Sequence, residues 1–363
     1  MTINSPMKLM KHFNKIAKMD RSKAYVNMQK AYTNGKVEAG LFSTSSSMKK
    51  TDKKIEKSNI FLDKNMAEAE RGDGEVTHRD IFYHSNFIVG ARLFGTWRNT
   101  ASVYRLDENI AKQALSATIP DETPSEIFEN LPEWSVYMEM PEFSDIQRRY
   151  LVLNEDGSTE EQYKRVIGFW AMHDTVKVHV NQENKKGYYL DLLFNFEHDD
   201  DVAIENLQLA PIRLFIHPDM TIAGSLSGLY ASIGSGWEAS VGLNDIKTVL
   251  SMLLWLCVEE PDITNIQDVM LSREDIRKPR YVKSKITGAF VVPLEETYFD
   301  IAKRMGGEVR EWNKEIEHAK NNCLPKRKIP HIRRGHWNGV WTGSGDNKTY
   351  KTYWQKPIFV NGK

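Results

Sequence analysis

The sequence predicts an α+β fold with a helical N-terminal part, a central antiparallel sheet with packed helices, and a C-terminal β-hairpin-like basic tail. Three observations lead to it. Apolar residues near the N-terminus recur at a helical period, whereas from Trp134 onward they recur every second residue in short runs separated by polar turns. After Pro325, aromatic, basic and glycine residues alternate on either side of a glycine-rich turn.

The length of 363 residues allows a sizeable core. Two cysteines, Cys257 and Cys323, do not support a disulfide scaffold, which favours a reducing, cytoplasmic compartment. The apolar run Val249–Val258 is too short for the roughly 20 residues of a membrane span, and it predicts a buried helix. The N-terminus lacks the continuous apolar stretch of a secretory signal.

The N-terminal third is predicted to be mainly helical. Residues 1–42 form a helical segment whose amphipathic helix pair covers Met7–Tyr32, and residues 43–58 form a flexible linker or insertion because Ser43–Lys57 has almost nothing to bury. A further helix is expected over Asp80–Leu106. Thr123 then reads as the N-cap of another helix, with Pro124 at its first position.

The core domain is predicted over residues 59–319. Strands are expected at Ser135–Met140, Val166–His179, Tyr188–Phe196 and Pro211–Ile216. Helices are expected at Leu226–Ser232, at Asn244–Cys257 with Asn244 as N-cap, and at Phe299–Ala319. The pair Gly306-Gly307 inside the last helix indicates a bend or a close approach.

The C-terminal segment, residues 320–363, is predicted to form a basic, aromatic β-hairpin that turns at Gly343–Asn347. The charge distribution separates it from the core. Residues 1–57 carry 13 Lys+Arg and 4 Asp+Glu, residues 320–363 carry 10 and 1, and the remaining residues therefore have a net charge of −18 between two ends of +9 each. A polyanion is the favoured partner of the C-terminal block, and a basic peptide that of the acidic middle.

The run Pro330–Trp341 carries the most informative residues. Arginine offers a planar fork for phosphates and tryptophan a stacking face for bases. We therefore predict RNA-binding roles for a set of exposed cations and aromatics, which are Arg333, Arg334, Trp337, Trp341, Lys351 and Trp354. His331 and His336 could instead act as the acid and base of a metal-independent ribonuclease. A third possibility is a surface hairpin that pairs with the acidic middle of the same chain.

Two further segments are candidates for contact with a peptide. Trp97, Arg98 and Asn99 follow a helical run, and Arg98 could reach a carboxylate or a peptide carbonyl, although a buried arginine in a core network fits equally well. Glu259, Glu260 and Asp262 follow the apolar helix, where acidic residues oppose the helix dipole and need another favourable partner. A basic peptide or a neighbouring arginine would serve.

No metal or cofactor is expected. The run His198-Asp199-Asp200-Asp201 is typical of a solvated turn and lacks the glycine and glutamate of an EF-hand loop. The glycines between Gly224 and Gly236 do not have the spacing of a phosphate-binding loop.

Several segments, in order, resemble one family of type V-A anti-CRISPR proteins, the second described for that system, with phage and plasmid relatives. The similarity runs from about residue 80 to the end. The matching segments are Leu93–Ile110, Asp121–Val136, Gly168–Asp174, Leu253–Thr264, Thr287–Pro293, Pro330–Trp337 and Trp354–Asn361.

This resemblance implies an inhibitor that prevents accumulation of the type V-A effector nuclease, by recognising its nascent polypeptide and lowering its messenger RNA and protein. The implied partners are that polypeptide, the messenger RNA or translating ribosome, and a host ribonuclease, with no membrane partner. The implied location is the cytoplasm of a bacterial host cell. Two alternatives stay open: a metal-independent endoribonuclease using His331 and His336, and a phage or plasmid accessory RNA-binding protein without a CRISPR target.

Overall fold

The computed structural model describes residues 2–16, 86, 89–90, 93–154, 158–179, 186–199, 201–207, 209, 211–237, 242–259, 261–272, 275–276, 282–283, 290–291, 293–321 and 329–361. The predicted linker at residues 43–58 and the second half of the predicted N-terminal helix pair lie outside these ranges. Within them, no helix combines the length and the hydropathy needed to cross a membrane.

The structure describes sixteen strands and six α-helical runs of five or more consecutive residues. The helices are α1 (residues 6–16), α2 (residues 93–97), α3 (Glu108–Ala114), α4 (Ile222–Trp237), α5 (Leu243–Cys257) and α6 (Lys303–Asn321). The strands are β1 (Thr2–Ile3), β2 (Ser102–Leu106), β3 (Ser135–Glu139), β4 (Gln147–Leu153), β5 (Thr159–His179), β6 (Lys186–Phe196), β7 (His198–Asp199), β8 (Ile212–Ile216), β9 (Ile263–Asn265), β10 (Val282–Lys283), β11 (Phe290–Val291), β12 (Thr297–Ile301), β13 (His331–Arg333), β14 (His336–Thr342), β15 (Thr349–Gln355) and β16 (Ile358–Val360).

A central sheet organises the molecule. Its strands follow the order β8-β6-β5-β3-β2-β12-β9, and β4 pairs with the first part of the long strand β5. Most neighbours are antiparallel, as predicted, but β2 runs parallel to both β3 and β12. The predicted α+β class, with a C-terminal hairpin, is confirmed.

The sheet is covered on both faces because its central strands carry apolar residues at successive positions. Along β3, Val136 and Met138 point to one core cluster and Tyr137 points to the other. Helices α1 and α2 pack on the Tyr137 side, while α3, α4 and α5 pack on the opposite side. Strands that are buried on both faces do not alternate in hydropathy, so they are harder to predict from the sequence than half-exposed strands.

The four predicted core strands correspond to β3, β5, β6 and β8, but β5 begins at Thr159 and not at Val166, β4 was not predicted, and other boundaries were wrong. Ser102–Leu106 is strand β2 rather than the end of a helix. Ser125–Asn130 is a single 3-10 helix without a side-chain cap, so Thr123 is not the N-cap of an α-helix. Helix α5 is preceded by Gly242, not capped by Asn244, and Phe299 belongs to β12 because α6 begins only at Lys303.

Gly306 marks a close approach, one of the two roles predicted for the Gly306-Gly307 pair. A Cβ atom at Gly306 would lie 1.9 Å from a carboxylate oxygen of Asp107, the residue that caps α3. Asp107 also accepts a hydrogen bond from Arg310, so the glycine lets α6 settle against the start of α3. This contact helps to position α6 beside the C-terminal strands.

The C-terminal residues form two small antiparallel sheets. β14 and β15 pair in register from His336 opposite Gln355 to Thr342 opposite Thr349, and β13 pairs with β16. The predicted turn connects β14 and β15, with Gly343 at φ +96°. An L-amino acid with a side chain rarely adopts this backbone conformation, which explains the glycine.

Candidate functional site

Three tryptophans fasten the β14–β15 hairpin to helix α5. Trp337 and Trp354 face each other across the hairpin and both contact Trp255, with ring centroids 5.0 to 5.5 Å apart. Trp337 is 3% exposed, and its Nε1 donates to Oγ of Ser251 at 2.8 Å. Trp337 and Trp354, predicted to stack on RNA bases, are therefore core residues, because no open ring face is left for a base.

Further contacts hold the same unit on the core. The backbone N–H of Gly335 donates to Oε1 of Gln113 on α3 at 2.7 Å, and a Cβ at Gly335 would clash with the Trp354 indole. The ring of Phe359 stacks on Trp312 of α6 with an interplanar angle of 4°. The C-terminal segment thus packs as part of the core layer and not as a loose tail.

A cleft opens where this hairpin meets the core, and we call it the C-terminal cleft. One side is β15 and Val340; the other is the 3-10 helix Ser125–Asn130; the ends of α5 and the start of α6 complete it. Its volume is about 880 Å³, near the upper end of the range of about 300–1,000 Å³ typical of ligand pockets.

Carboxylates outnumber cations in the C-terminal cleft. Five acidic residues line it against three basic ones, and two of the basic residues already pair with two of the acids. Lys351 lies 3.0 Å from Glu259, and Arg304 lies 3.3 Å from Asp262. The lining acids are Glu126, Glu129, Glu259, Asp262 and Glu308, and the third cation is Lys356. The cleft therefore keeps an excess of negative charge.

The excess of carboxylates affects the pKa of Glu129. Although part of its side chain reaches solvent, the surrounding protein desolvates the carboxyl and raises its pKa, and the neighbouring charge of Glu126 raises it further. Burial, followed by the charge of Glu129, also raises the pKa of Tyr188, whose hydroxyl has no hydrogen-bond partner among the described residues. An incoming cation would relieve the repulsion between the two glutamates.

Aromatic residues flank the same cleft. Tyr350 lines it and lies edge-on to Trp341, with centroids 5.1 Å apart. The Tyr350 ring crosses the hairpin directly over Gly339, where a Cβ would be 1.8 Å from the phenol oxygen. Trp341 is 54% exposed, so among the predicted RNA-binding tryptophans it is the one that still presents a large accessible surface.

The predicted basic cluster is on the surface. His331, Arg333, Arg334 and His336 are all exposed, and none of them lines the C-terminal cleft. The two histidines belong to different two-stranded sheets, His331 to β13 and His336 to β14. The structure therefore separates this basic surface from the acidic cleft, and the catalytic role of the histidines stays a prediction.

The other predicted peptide segment lies elsewhere and is mostly buried. Trp97 and Asn99 are 0% exposed: the Trp97 indole donates to the carbonyl of Ser102, and the Asn99 amide donates to the carbonyls of Gly95 and Thr96. Trp97 packs with Trp170 on the face of the sheet opposite α5. Surface contact with a peptide is wrong for these two residues, because they serve as interior packing; Arg98 is partly buried.

Some residues of the C-terminal cleft were predicted from the sequence, and others were not. Glu259 and Asp262 line it as proposed peptide-binding residues, Lys351 and Trp354 line it as proposed RNA-binding residues, and Glu260 lies outside the described residues. Glu126, Glu129 and Glu308 were missed. Their own segments carry no chemical motif, and only the tertiary fold brings them together.

Within the described ranges, no group of three or more His, Cys, Asp or Glu side chains is placed to hold a metal ion. The predicted aspartate run contributes Asp199, which pairs with Thr2 in the short β1–β7 ladder.

Comparisons with known proteins agree with the resemblance seen in the sequence. The sequence model described as AcrVA2-like, the anti-CRISPR type V subtype A2 family, matches residues 104–362. A solved structure described as the crystal structure of AcrVA2 matches with a TM-score of 0.64 and 31% sequence identity, covering 97% of this chain and 97% of the other. No curated protein is significantly similar to the chain.

Proposed function

The chain belongs to the AcrVA2-like family, the anti-CRISPR type V subtype A2 family, and we propose that it performs this role by recognising the nascent polypeptide of the type V-A effector and lowering the effector's messenger RNA and protein. The C-terminal cleft is the proposed peptide site. The exposed basic surface around Arg333 and Arg334 is the proposed contact with messenger RNA or the translating ribosome.

The excess of negative charge in the C-terminal cleft carries this proposal. Phosphate groups are repelled by Glu126, Glu129 and Glu308, whereas lysine and arginine side chains are attracted to them. The cleft, with a volume of about 880 Å³, can enclose part of a ligand, and charge pairing strengthens wherever a bound ligand displaces water. A basic stretch of polypeptide fits these conditions, and RNA does not.

The basic surface suits the other half of the function. Arg333 and Arg334 are exposed and lie close in sequence to exposed His331 and His336, a combination that can contact phosphates without stacking a base. Exposed Trp341 stands beside the cleft. Peptide and RNA would then engage adjacent but separate parts of one C-terminal unit.

A co-expression experiment tests the proposal. A tagged type V-A effector is expressed with this protein, and effector protein and messenger are measured together. Synonymous recoding of the effector keeps its polypeptide and changes its RNA, while a frameshift closed downstream keeps nearly all of the RNA and changes the polypeptide. We expect loss of messenger with the recoded gene and none with the frameshifted segment; the reverse pattern would show recognition of RNA sequence.

A cleft variant links the result to the site. Glu129→Gln combined with Glu308→Gln removes two cleft charges, and we expect it to leave effector messenger near its uninhibited level. The matched control is Glu317→Gln with Glu311→Gln, which removes two exposed charges further along α6.

Purified protein incubated with effector messenger in EDTA tests the endoribonuclease alternative: cleavage that disappears in His331→Ala or His336→Ala would support it.

A further inference from the structure

One edge of the hairpin strand β15 borders the C-terminal cleft along most of its length. Six consecutive residues, Thr349–Trp354, line the cleft. Side chains of a strand alternate between its two faces, so a surface that meets only one face is lined by every second residue. Consecutive lining therefore indicates that the cleft runs along the strand's edge, where the backbone N–H and C=O groups lie.

This edge has no strand beside it in the described part of the chain. β15 pairs with β14 alone, and the two form a separate two-stranded sheet. An unpaired edge presents a row of backbone N–H and C=O groups that can pair with another extended chain. Proteins often protect such an edge with lysine, and here Lys351 sits on it with its ammonium drawn to Glu259.

Three residues that line the cleft carry a buried polar atom without a partner. Trp255 is 3% exposed, Thr352 is 8% exposed and Trp354 is 9% exposed. Neither indole N–H nor the threonine hydroxyl has a hydrogen-bond partner among the described residues. These atoms are closed to water in the free protein, so a peptide carbonyl would accept from one of them after a small side-chain movement, which would remove an unfavourable unpaired donor.

We propose that the C-terminal cleft binds its polypeptide as an added β-strand along the outer edge of β15, taking an extended segment of about six residues that carries at least one lysine or arginine. This rests on the proposed function, and it adds the mode of binding. A six-residue strand spans about 20 Å, which matches the run Thr349–Trp354. The cationic side chain meets the cleft's surplus carboxylates and competes with Lys351 for Glu259.

Strand addition also explains how the cleft can recognise a polypeptide before that polypeptide folds. Backbone pairing supplies affinity that is independent of most side chains, while alternate side chains set the specificity. Tyr350 and buried Trp354 lie on the same face of β15. An apolar residue of the bound peptide would lie against Tyr350 on that face. A nascent chain is unfolded and can take the extended shape without first losing other structure.

The test begins with short overlapping synthetic peptides that span a type V-A effector, each titrated against the full-length protein. The tightest binder is then remade with single backbone N-methyl groups, which remove one N–H each. Strand addition predicts that methylation at every second position weakens binding about tenfold or more, while the intervening positions tolerate it. Hydrogen exchange resolved by residue should slow at alternate amides within Thr349–Trp354.

The outcomes separate this inference from the proposed function. A peptide that binds and loses affinity in Glu129→Gln, but shows no alternation in either measurement, would overturn strand addition and leave the proposed peptide site standing. If no effector peptide binds at all, both are overturned. Protection of the β15 edge by an effector RNA oligonucleotide in place of peptide would likewise overturn both.

Discussion

The ammonium of Lys351 lies 3.0 Å from one carboxylate oxygen of Glu259 and 3.1 Å from the other. The pair joins the edge of β15 to the end of α5. Both side chains are largely exposed, at 45% and 74%, so we expect the pair to contribute at most about 1 kcal/mol to stability. Both residues line the cleft, so we expect the pair to affect peptide binding more than folding.

Neutralising the two partners should therefore change peptide affinity in opposite directions. Lys351→Gln removes a cation that competes for Glu259 and should raise the affinity of a basic effector peptide several-fold. Glu259→Gln removes a carboxylate and should lower it. Both are measured by titration at low and high salt, since added salt screens the difference. If Lys351→Gln weakens peptide binding, the lysine contacts the ligand and does not compete with it.

The hydrogen bond from Trp337 to Ser251 should be important for folding. Ser251 is fully buried, accepts from the Trp337 indole at 2.8 Å and donates to the carbonyl of Ala114 at 3.1 Å. Ser251→Ala leaves both partners unsatisfied and should lower the free energy of unfolding by about 1–3 kcal/mol in a denaturant titration.

A double-mutant cycle identifies the source of that loss. Trp337→Phe removes the indole donor, so its effect should combine with Ser251→Ala to less than the sum of the two. The control is Ser227→Ala, which removes an exposed helical serine bonded to the carbonyl of Ala223 and should change stability by less than about 0.5 kcal/mol. Full additivity would mean that the hydrogen bond contributes nothing.

The sequence predicted the fold class because its main signals are local. Strands such as Tyr188–Phe196 show a run of leucine and aromatic residues between polar turns, and the Gly343–Asn347 turn marks the hairpin. The missed boundaries depend on tertiary contacts. Ser102–Leu106 becomes a strand because it pairs in parallel with two strands that are distant in sequence, and nothing in its own residues specifies those neighbours.

The site was predictable only in part, for the same reason. Tryptophan beside arginine in Pro330–Trp341 suggests base stacking, but whether an indole is exposed depends on the partner it meets. Trp337 meets Trp255 and is buried, whereas Trp341, on the same face of the hairpin, extends past the core and stays exposed. The cleft glutamates come from separate elements, so no spacing in the sequence could group them.

Replacing Glu129 should separate binding from stability. Because burial and Glu126 raise its pKa, the folded protein disfavours the charged form that prevails at neutral pH. Glu129→Gln should therefore leave the Tm unchanged or slightly higher while weakening a basic peptide. In the wild-type protein, peptide affinity should begin to fall at a higher pH than an ordinary glutamate would give. A marked loss of Tm in Glu129→Gln would contradict this account.

His198 should make the protein sensitive to acid. Its burial, together with the charges of Lys164 and His12, lowers its pKa to about 3 from an ordinary value of 6.5. Between these two pH values the unfolded chain binds a proton that the folded protein does not. As the pH falls from 6.5 towards 3, this residue should therefore lower the free energy of unfolding by up to about 1.4 kcal/mol for each pH unit.

Denaturant titrations of His198→Gln between pH 7.5 and pH 5 test that contribution. The variant lacks the titrating ring, so its stability should fall less steeply with acid than that of the wild-type protein. His331→Gln replaces an exposed histidine and serves as the control, with the wild-type dependence expected. Equal slopes in all three proteins would exclude His198 as a source of acid sensitivity.

Charge reversal at Arg333 and Arg334 tests whether the basic surface acts separately from the cleft. Both side chains are exposed and neither lines the cleft, so the variant should keep its Tm and its affinity for effector peptide. It should lose the reduction of effector messenger, because the surface proposed to contact RNA would repel phosphates. Reversing Lys314 and Lys320, two exposed lysines of α6, changes the net charge equally and should leave messenger loss intact. Retention of both activities by the arginine variant would remove the basic surface from the mechanism. Loss of peptide binding as well would show that the two surfaces are one site.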